Sequence, residues 1–377
     1  MVFLHPVYTV LFILLIGASF LEINYFKKKH SVFIWIIAVW LIIASGLRGF
    51  VGADYGVYRN LFSGFSMFTT YQDVFDKAIF RKTSEQIEWI YVLLNKIIFD
   101  VGLPFYMVTL AMAVMSISLK LTTIYKNVNL PILGILLYFM PLYFFEDSGQ
   151  IRQGLGVGIC VFSFKYIKER NLKMYLLLMY LALGFHKTTI AFIPAYWLVK
   201  IPLNSYKIFI LILVSILLSP FEIFRLAGGF FDNLAPQDIS EGYVGYVDDS
   251  THGASLGFGL TDIVKIFYIY LLVRYDKIAC EKVYYYEYMR NLGVFGLCIF
   301  YVMRGNTIFA VRLPGSYMFY LNIFVVPSII YAVQDNVKRI IHSGIILYLI
   351  LLYFNFSRIN GVRGNFTTSG YSNVLWR

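Results

Sequence analysis

The chain has 377 residues, of which 59% are apolar, 19% aromatic and 14% charged, where an average soluble domain carries about 25% charged residues. This composition excludes a cytosolic enzyme, a disordered tail and a nucleic-acid-binding module, and points to a chain dissolved in lipid. The formal net charge of +11 fits first the surplus of Lys and Arg that orients a membrane protein, and only second an anionic partner.

A hydrocarbon core about 30 Å thick needs about 20 helical residues, and most of the chain divides into segments of that size. Spans are predicted near residues 2–26, 31–47, 104–125, 130–145, 151–168, 172–186, 188–200, 206–220, 259–274, 283–303, 307–333 and 340–356. The first lacks a basic leader and ends in Lys27, Lys28 and Lys29, as a retained span would rather than a cleaved signal. The segment Glu85 to Asp100 carries Glu88 and Lys96 as well; it is either a half-buried helix or a further span. The two segments between 172 and 200 are short and are expected to be tilted, broken or re-entrant. The fold class is therefore all-α: one polytopic membrane domain over residues 1–377 with about 12–13 transmembrane helices. Outer loops are expected at about 48–85 and 221–258, with an outer tail at 357–377. Cys160, Cys280 and Cys298 form neither a CxxC nor a Cys/His cluster, so no metal site and no disulfide framework is indicated.

Short loops rich in Lys set the orientation: Lys27 to Lys29, Lys120 with Lys126, Lys165, Lys168, Arg170 and Lys173, Lys200 with Lys207, Arg274, Lys277 and Lys282, and Lys338 with Arg339 fall at alternate span ends. The opposite face holds Arg48, Arg59, Arg81, Arg152, Arg225, Arg304, Arg312, Arg358, Arg363 and Arg377, with Lys77, Lys82 and Lys187. Lys suffices as a point charge for topology, whereas the forked guanidinium grips phosphate or carboxylate at two points. An anion site on the outer face is the functional reading of that bias, with pairing to outer acids or lipid headgroups as the alternative.

Five groups of residues could carry chemistry. Arg48, Gly52, Asp54, Tyr55 and Tyr58 follow the second span and place a cation, open backbone amides and a carboxylate at one interface. Glu88 and Tyr91 lie on the uncertain segment, where partial burial would raise the carboxyl pKa toward that of a general base. Glu146, Asp147, Arg152 and Gln153 lead into a span; a cation at a helix N-terminus opposes the helix dipole unless an anion completes the site, and an Arg152 pair with Asp147 or Glu146 is the structural alternative. Gly154, Gly156 and Gly158 do not match a dinucleotide fingerprint and read as close helix packing. His186 stands where two short apolar segments meet, with His252 the other outer histidine. Finally, Arg304, Asn306 and Arg312 edge a long apolar run, where an unpaired charge costs about 3 kcal/mol or more. Residues 221–258 add Glu222, Asp232, Asp238, Glu241, Asp248 and Asp249 with Tyr243 and Tyr246, suited to sugars or simply to solvent.

In order along the chain, Arg48 with Gly52-Ala53-Asp54-Tyr55 and Tyr58, Glu88 with Tyr91, Ile151-Arg152-Gln153-Gly154-Leu155 and Phe185-His186 resemble the EpsG family, the Wzy-like bacterial polysaccharide polymerases. The likeness covers about residues 40–200 and fits Arg312 loosely; Ala53 replaces a usual Thr, Trp89-Ile90 a usual Pro-Gly, and Gly156 a usual Ala. The resemblance implies an enzyme of the bacterial inner membrane, active on its periplasmic or extracellular face, that joins undecaprenyl-pyrophosphate-linked oligosaccharide units en bloc. Arg48, Arg152 and Arg312 would bind pyrophosphate, and Glu88, Asp54 or His186 would act as base. No cofactor or nucleic acid is implied; partners are the lipid-linked oligosaccharide, membrane lipid and a chain-length regulator protein. An O-antigen ligase would share the donor chemistry, a flippase would place cations near the midplane between repeated halves, and a membrane acyltransferase would need an acyl-donor site.

Overall fold

The computed structural model describes residues 2–25, 29–80, 87–222 and 256–375. Expected features at Lys27, Lys28, Arg81, Lys82, Glu85, Arg225, Asp232, Asp238, Glu241, Tyr243, Tyr246, Asp248, Asp249, His252 and Arg377 lie outside those residues. Among the described residues the regular structure is helical, with two isolated β-bridges, Leu4 to Thr367 and Arg48 to Asn373.

Local sequence sets most helix ends. Helix α1 (Pro6–Asn24) has Pro at its first position, where a missing N–H costs nothing, and His5 Nδ1 accepts the Val7 N–H at 3.4 Å. After α2 (Ser31–Gly46) the expected outer loop of residues 48–85 is itself largely helical, with α3 (Tyr55–Asn60), a π-helical turn over Leu61–Phe65 and α4 (Tyr71–Phe80). Helix α5 (Trp89–Asp100) has 12 residues, about 18 Å of helix, too short for a core about 30 Å thick. It is not among the described helices long and apolar enough to cross a membrane.

Helices α6 (Tyr106–Asn127) and α7 (Pro131–Leu137) follow, the latter continuing as a π-helical segment, Tyr138–Asp147, kinked at Met140 before Pro141. Then come α8 (Ile151–Phe162), α9 (Phe164–Lys168) and α10 (Leu172–Leu183), which Asn171 caps by accepting the Met174 N–H at 3.1 Å. The expected break between 172 and 200 falls at residues 184–186, and the chain returns through a 3₁₀ turn (Lys187–Phe192) and α11 (Ala195–Leu198). Beyond α12 (Ser205–Leu218) lie α13 (Leu260–Lys282), α14 (Tyr286–Val302), α15 (Thr307–Arg312), α16 (Gly315–Phe319), a π-helical segment (Tyr320–Val325), α17 (Val326–Ala332) and α18 (Asp335–Phe356). The stretch expected as one span over 307–333 is thus cut at Leu313 and Pro314.

By length and composition four described stretches can cross a membrane: Pro6–Asn24, Tyr106–Asn127, Gly315–Ala332 and Asp335–Gly361; Ser31–Gly46, Leu172–Leu183 and Ser205–Phe221 are apolar but shorter. The protein is an all-α polytopic membrane protein in which several expected spans are assembled from shorter pieces. Helix α6 packs between α2 and α8, α8 against α10, and α14 against α12 and the Tyr320–Val325 segment. The α8 glycines permit this approach. A Cβ on Gly156 would stand 2.8 Å from Thr189 Cγ2, and one on Gly154 2.5 Å from the Glu146 carbonyl.

Charge inside the bundle departs from expectation. Lys120, placed by its sequence among cytoplasmic loops, is fully buried in α6, with Nζ 2.7 Å from Glu146 Oε2 and 2.7 Å from Asp147 Oδ2. The Tyr138 hydroxyl donates to Asp147 Oδ2 at 2.6 Å, and Ser116 donates to Oδ1. Glu146 and Asp147 are accordingly buried inside the bundle. A buried charge is tolerated only with its counter-charge and further hydrogen bonds, and the kink in Tyr138–Asp147 turns these acids inward to meet Lys120.

The last described residues form a strap rather than a free tail. Gly364 and Ser372 carbonyls accept the N–H groups of Gly52 (2.7 Å) and Gly49 (2.9 Å), Val374 N–H donates to Leu47 O (2.8 Å), and His5 N–H donates to Phe366 O (2.9 Å). Tyr371 OH and Asn373 Nδ2 reach the Ala44 and Ile43 carbonyls at the end of α2.

Candidate functional site

At the end of the bundle carrying the strap, three chain breaks meet: the turn before α5, the start of α8 and the break after α10. Backbone hydrogen bonds join two of them, since Ile90 and Tyr91 N–H groups donate to the Gly184 carbonyl at 2.9 and 3.3 Å. Glu88, the last residue before α5, is thereby aimed at the other two. Arg152 Nη1 contacts Glu88 Oε2 at 2.5 Å, and the Lys187 backbone N–H donates to Glu88 Oε1 at 3.1 Å. The side chains are 7% exposed for Glu88 and 21% for Arg152, so the pair is shielded yet open on the arginine side. Tyr58 and Tyr91 complete the walls, each ring centroid 5.7 Å from the Arg152 guanidinium and the two rings 5.7 Å apart. Arg152 Nε is buried without a partner.

His186 opens the 3₁₀ turn. Its Nδ1 lies 2.7 Å from Thr188 Oγ1 and accepts the Thr188 N–H at 3.4 Å, so the neutral ring carries its proton on Nε2. Glu88, Arg152, Arg312 and Lys187 all lie within electrostatic reach of the ring. Arg312, at the end of α15, comes close because Gly315 packs on α8 beside Gln153, where an added Cβ would stand 3.4 Å from the Gln153 Nε2.

Burial pushes the His186 ring down to about 3 and keeps it neutral. For Glu88 burial acts in the opposite sense and raises the carboxyl, but the Arg152 guanidinium, with His186 and the Lys187 N–H, outweighs it and holds Glu88 below the usual carboxylate range. This corrects the expectation of a raised pKa: the sequence shows the burial but not the arginine 64 residues away.

The remaining residues divide. Asp54, half-buried ahead of α3, lies within electrostatic reach of Tyr58. Arg48 is fully buried; it donates from Nε to Val51 O at 2.9 Å and from Nη1 to Ser45 O, stands 5.7 Å from the Tyr55 ring centroid, and leaves Nη2 without a partner. It closes the turn after α2, where Gly52 at φ +95° passes against the Ser148 carbonyl with no room for a Cβ. Arg304 is committed elsewhere, contacting both Asp262 oxygens at 2.5 and 3.0 Å and the carbonyls of Leu256 and Gly257. Asn306 caps α15 by accepting the Ile308 and Phe309 N–H groups. The structural alternative of an Arg152 pair with Glu146 or Asp147 does not occur, because Lys120 holds both acids.

Sequence reasoning missed Thr188, which orients His186, and the Gly184 carbonyl, which docks α5; Thr188 two residues after a histidine at a break was the available signal. The site offers a guanidinium that is 21% exposed and has one N–H without a partner, a carboxylate in the same pair, and a neutral imidazole with its proton on Nε2. Such a set can stabilise a developing phosphate charge and accept a hydroxyl proton. No cluster of His, Cys, Asp or Glu able to hold a metal occurs among the described residues.

A family model described as the EpsG family matches residues 31–373, extending well beyond the motifs of the first half. No curated protein and no solved structure matches the chain.

Proposed function

The chain belongs to the EpsG family, a membrane family of polysaccharide polymerase type, and from that premise we propose that it joins undecaprenyl-pyrophosphate-linked oligosaccharide units en bloc at the outer face of a bacterial inner membrane. The observation that carries this reading is the shielded Glu88–Arg152 pair with His186 and Arg312 in reach. In the reaction, the hydroxyl oxygen of the terminal sugar on one unit bonds to the anomeric carbon of the growing chain. The bond from that carbon to the pyrophosphate oxygen breaks, and the lipid pyrophosphate leaves with the electron pair. Arg152 and Arg312 meet the phosphate charge, which a forked donor stabilises most where water is excluded.

Glu88 accepts the hydroxyl proton. At rest Arg152 keeps it a weak base, but a pyrophosphate that draws Arg152 toward itself removes the group that lowers the Glu88 pKa. A buried carboxylate losing its counter-ion becomes more basic, so donor binding itself prepares the base. His186, neutral and fixed by Thr188, donates from Nε2 to a sugar or phosphate oxygen. Arg48, spent on two carbonyls, acts by holding the turn that presents Asp54, Tyr55 and Tyr58. Purified protein in proteoliposomes, given a synthetic lipid-linked unit and no nucleotide sugar, should build a ladder of polymer, and Glu88→Gln should stop it. Polymer growth that requires a nucleotide sugar, or proceeds unchanged in Glu88→Gln, would sink the reading.

A further inference from the structure

A second polar centre lies between α13, the Tyr138–Asp147 segment, the Tyr320–Val325 segment and α18, in a cavity of about 160 Å³. Thr261, Lys265, Tyr268, Asn322 and Tyr348 line it together with apolar side chains. Lys265 is half-buried; its ammonium lies 4.0 Å from the Phe300 ring centroid and makes one marginal contact, 3.4 Å, to the carbonyl of Thr261 on its own helix. The Asn322 amide and the Tyr268 and Tyr348 hydroxyls make no hydrogen bond to another described residue. Polar side chains inside a membrane bundle ordinarily pair with one another, and those that do not mark a place where something else completes the set.

Charge and position identify the occupant. Asp262 beside Lys265 is already neutralised by Arg304, so the local sum is one positive charge, to be met by an anion. Lys265 is five residues into α13, about 8 Å from the helix start, and a long ammonium side chain near a helix end reaches readily to lipid headgroups. The neighbours of the lining residues on the same two helices are exposed and apolar: Ile263 and Ile266 on α13, Leu347 and Leu351 on α18. An anion carried on hydrocarbon chains would place its charge in the cavity and its chains along those faces.

We propose that this cavity is a binding site for the phosphate of a membrane lipid, with Lys265 as the cation and Asn322 and Tyr348 as hydrogen-bond donors. It is separate from the Glu88–Arg152 site and does not depend on the reaction assigned there. Phosphate at this level comes either from a resident phospholipid or from a polyprenyl carrier, and binding measurements separate the two.

The test is native mass spectrometry of the full chain released from nanodiscs, with phosphatidylglycerol, polyprenyl monophosphate and diacylglycerol offered in turn. The wild type should retain a phosphate-bearing lipid and release diacylglycerol; retention of phosphatidylglycerol identifies a phospholipid site, and retention of polyprenyl phosphate that is lost in Lys265→Met a carrier site, since polyprenyl phosphate held at Arg152 and Arg312 does not depend on Lys265. Lys265→Met should weaken retention about fivefold or more, Asn322→Leu should weaken it as well, and Lys265→Arg should retain lipid as the wild type does. Should Lys265→Met not fold, Lys265→Gln reads the same loss. Equal retention of diacylglycerol, or wild-type retention by folded Lys265→Met or Lys265→Gln, would overturn the assignment.

Discussion

Replacing Arg152 with lysine keeps the charge and removes the fork. In the protein Arg152 reaches Glu88 at 2.5 Å through Nη1 while Nε is buried without a partner, and Cζ lies 5.7 Å from the centroids of both Tyr58 and Tyr91. A lysine ammonium has one donor centre, so it can stay with Glu88 or follow a phosphate but cannot present separate edges to both. The loss is then one charge-assisted hydrogen bond in the transition state, about 1.5–3 kcal/mol, or a fall of about tenfold to about 150-fold in rate. Polymer formation from a synthetic lipid-linked unit in proteoliposomes, quantified by gel ladder at saturating and limiting donor, measures it. Glu88→Gln and the double variant complete a cycle in unfolding free energy, in which a coupling energy of about 0.5–3 kcal/mol is expected for directly contacting groups. Folding is monitored by thermal unfolding in detergent, because stripping one member of a buried pair also destabilises, by about 3–5 kcal/mol; lysine, still charged, should stay near the wild type. A folded Arg152→Lys that polymerises at the wild-type rate would refute the two-edged role.

Three other consequences follow from particular contacts. Lys120→Met leaves Glu146 and Asp147 buried without their cation and should cost about 3–5 kcal/mol in unfolding, most of it recovered when Glu146→Gln and Asp147→Asn are added; equal loss in the single and triple variants would contradict the ion cluster. Ending the chain after Gly361 removes the bonds of Gly364, Ser372 and Val374 to residues 47–52, about 1 kcal/mol each, so limited proteolysis should cut residues 48–58 faster and polymer yield should fall; an unchanged cleavage pattern would show that the strap holds nothing. The His186 ring sits at about 3 when folded against 6.5 when free. The unfolded chain therefore takes up that proton first, and the stability due to a neutral His186 is full above about pH 6.5 and is lost as pH falls from there toward 3. His186→Gln should flatten that part of the unfolding profile, and an unaltered acid limb would argue against the buried neutral ring.

Much of the helical layout was legible because lipid imposes its own length rule: α2 over Ser31–Gly46 and α6 over Tyr106–Asn127 fall within two residues of the predicted spans at each end. The break after α10 was legible too, from two apolar runs too short to cross. The order Arg48, Glu88, Arg152, His186 carried the family, which the match over residues 31–373 shows. Partner choice was not legible. Lys120 reads like any loop lysine, and only the inward kink of Tyr138–Asp147 makes it a core residue. Arg304 and Arg152 look alike as arginines at the edge of apolar runs, yet the first is closed on Asp262 and two carbonyls while the second pairs with Glu88 and leaves its buried Nε without a partner.

The sequence by itself determined that the chain is an all-α membrane protein, because hydrophobic length and the ban on unsatisfied backbone in lipid act on every short window of residues. It also determined which residue types were available for anion chemistry. Only the tertiary structure decided which of them meet: Glu88 and Arg152 are drawn together by the Gly184 carbonyl holding α5 and by glycines that bring α8 against the break after α10. Pairing energies fall off within a few ångströms, and a separation of that size is fixed by packing between distant segments, which no local pattern records.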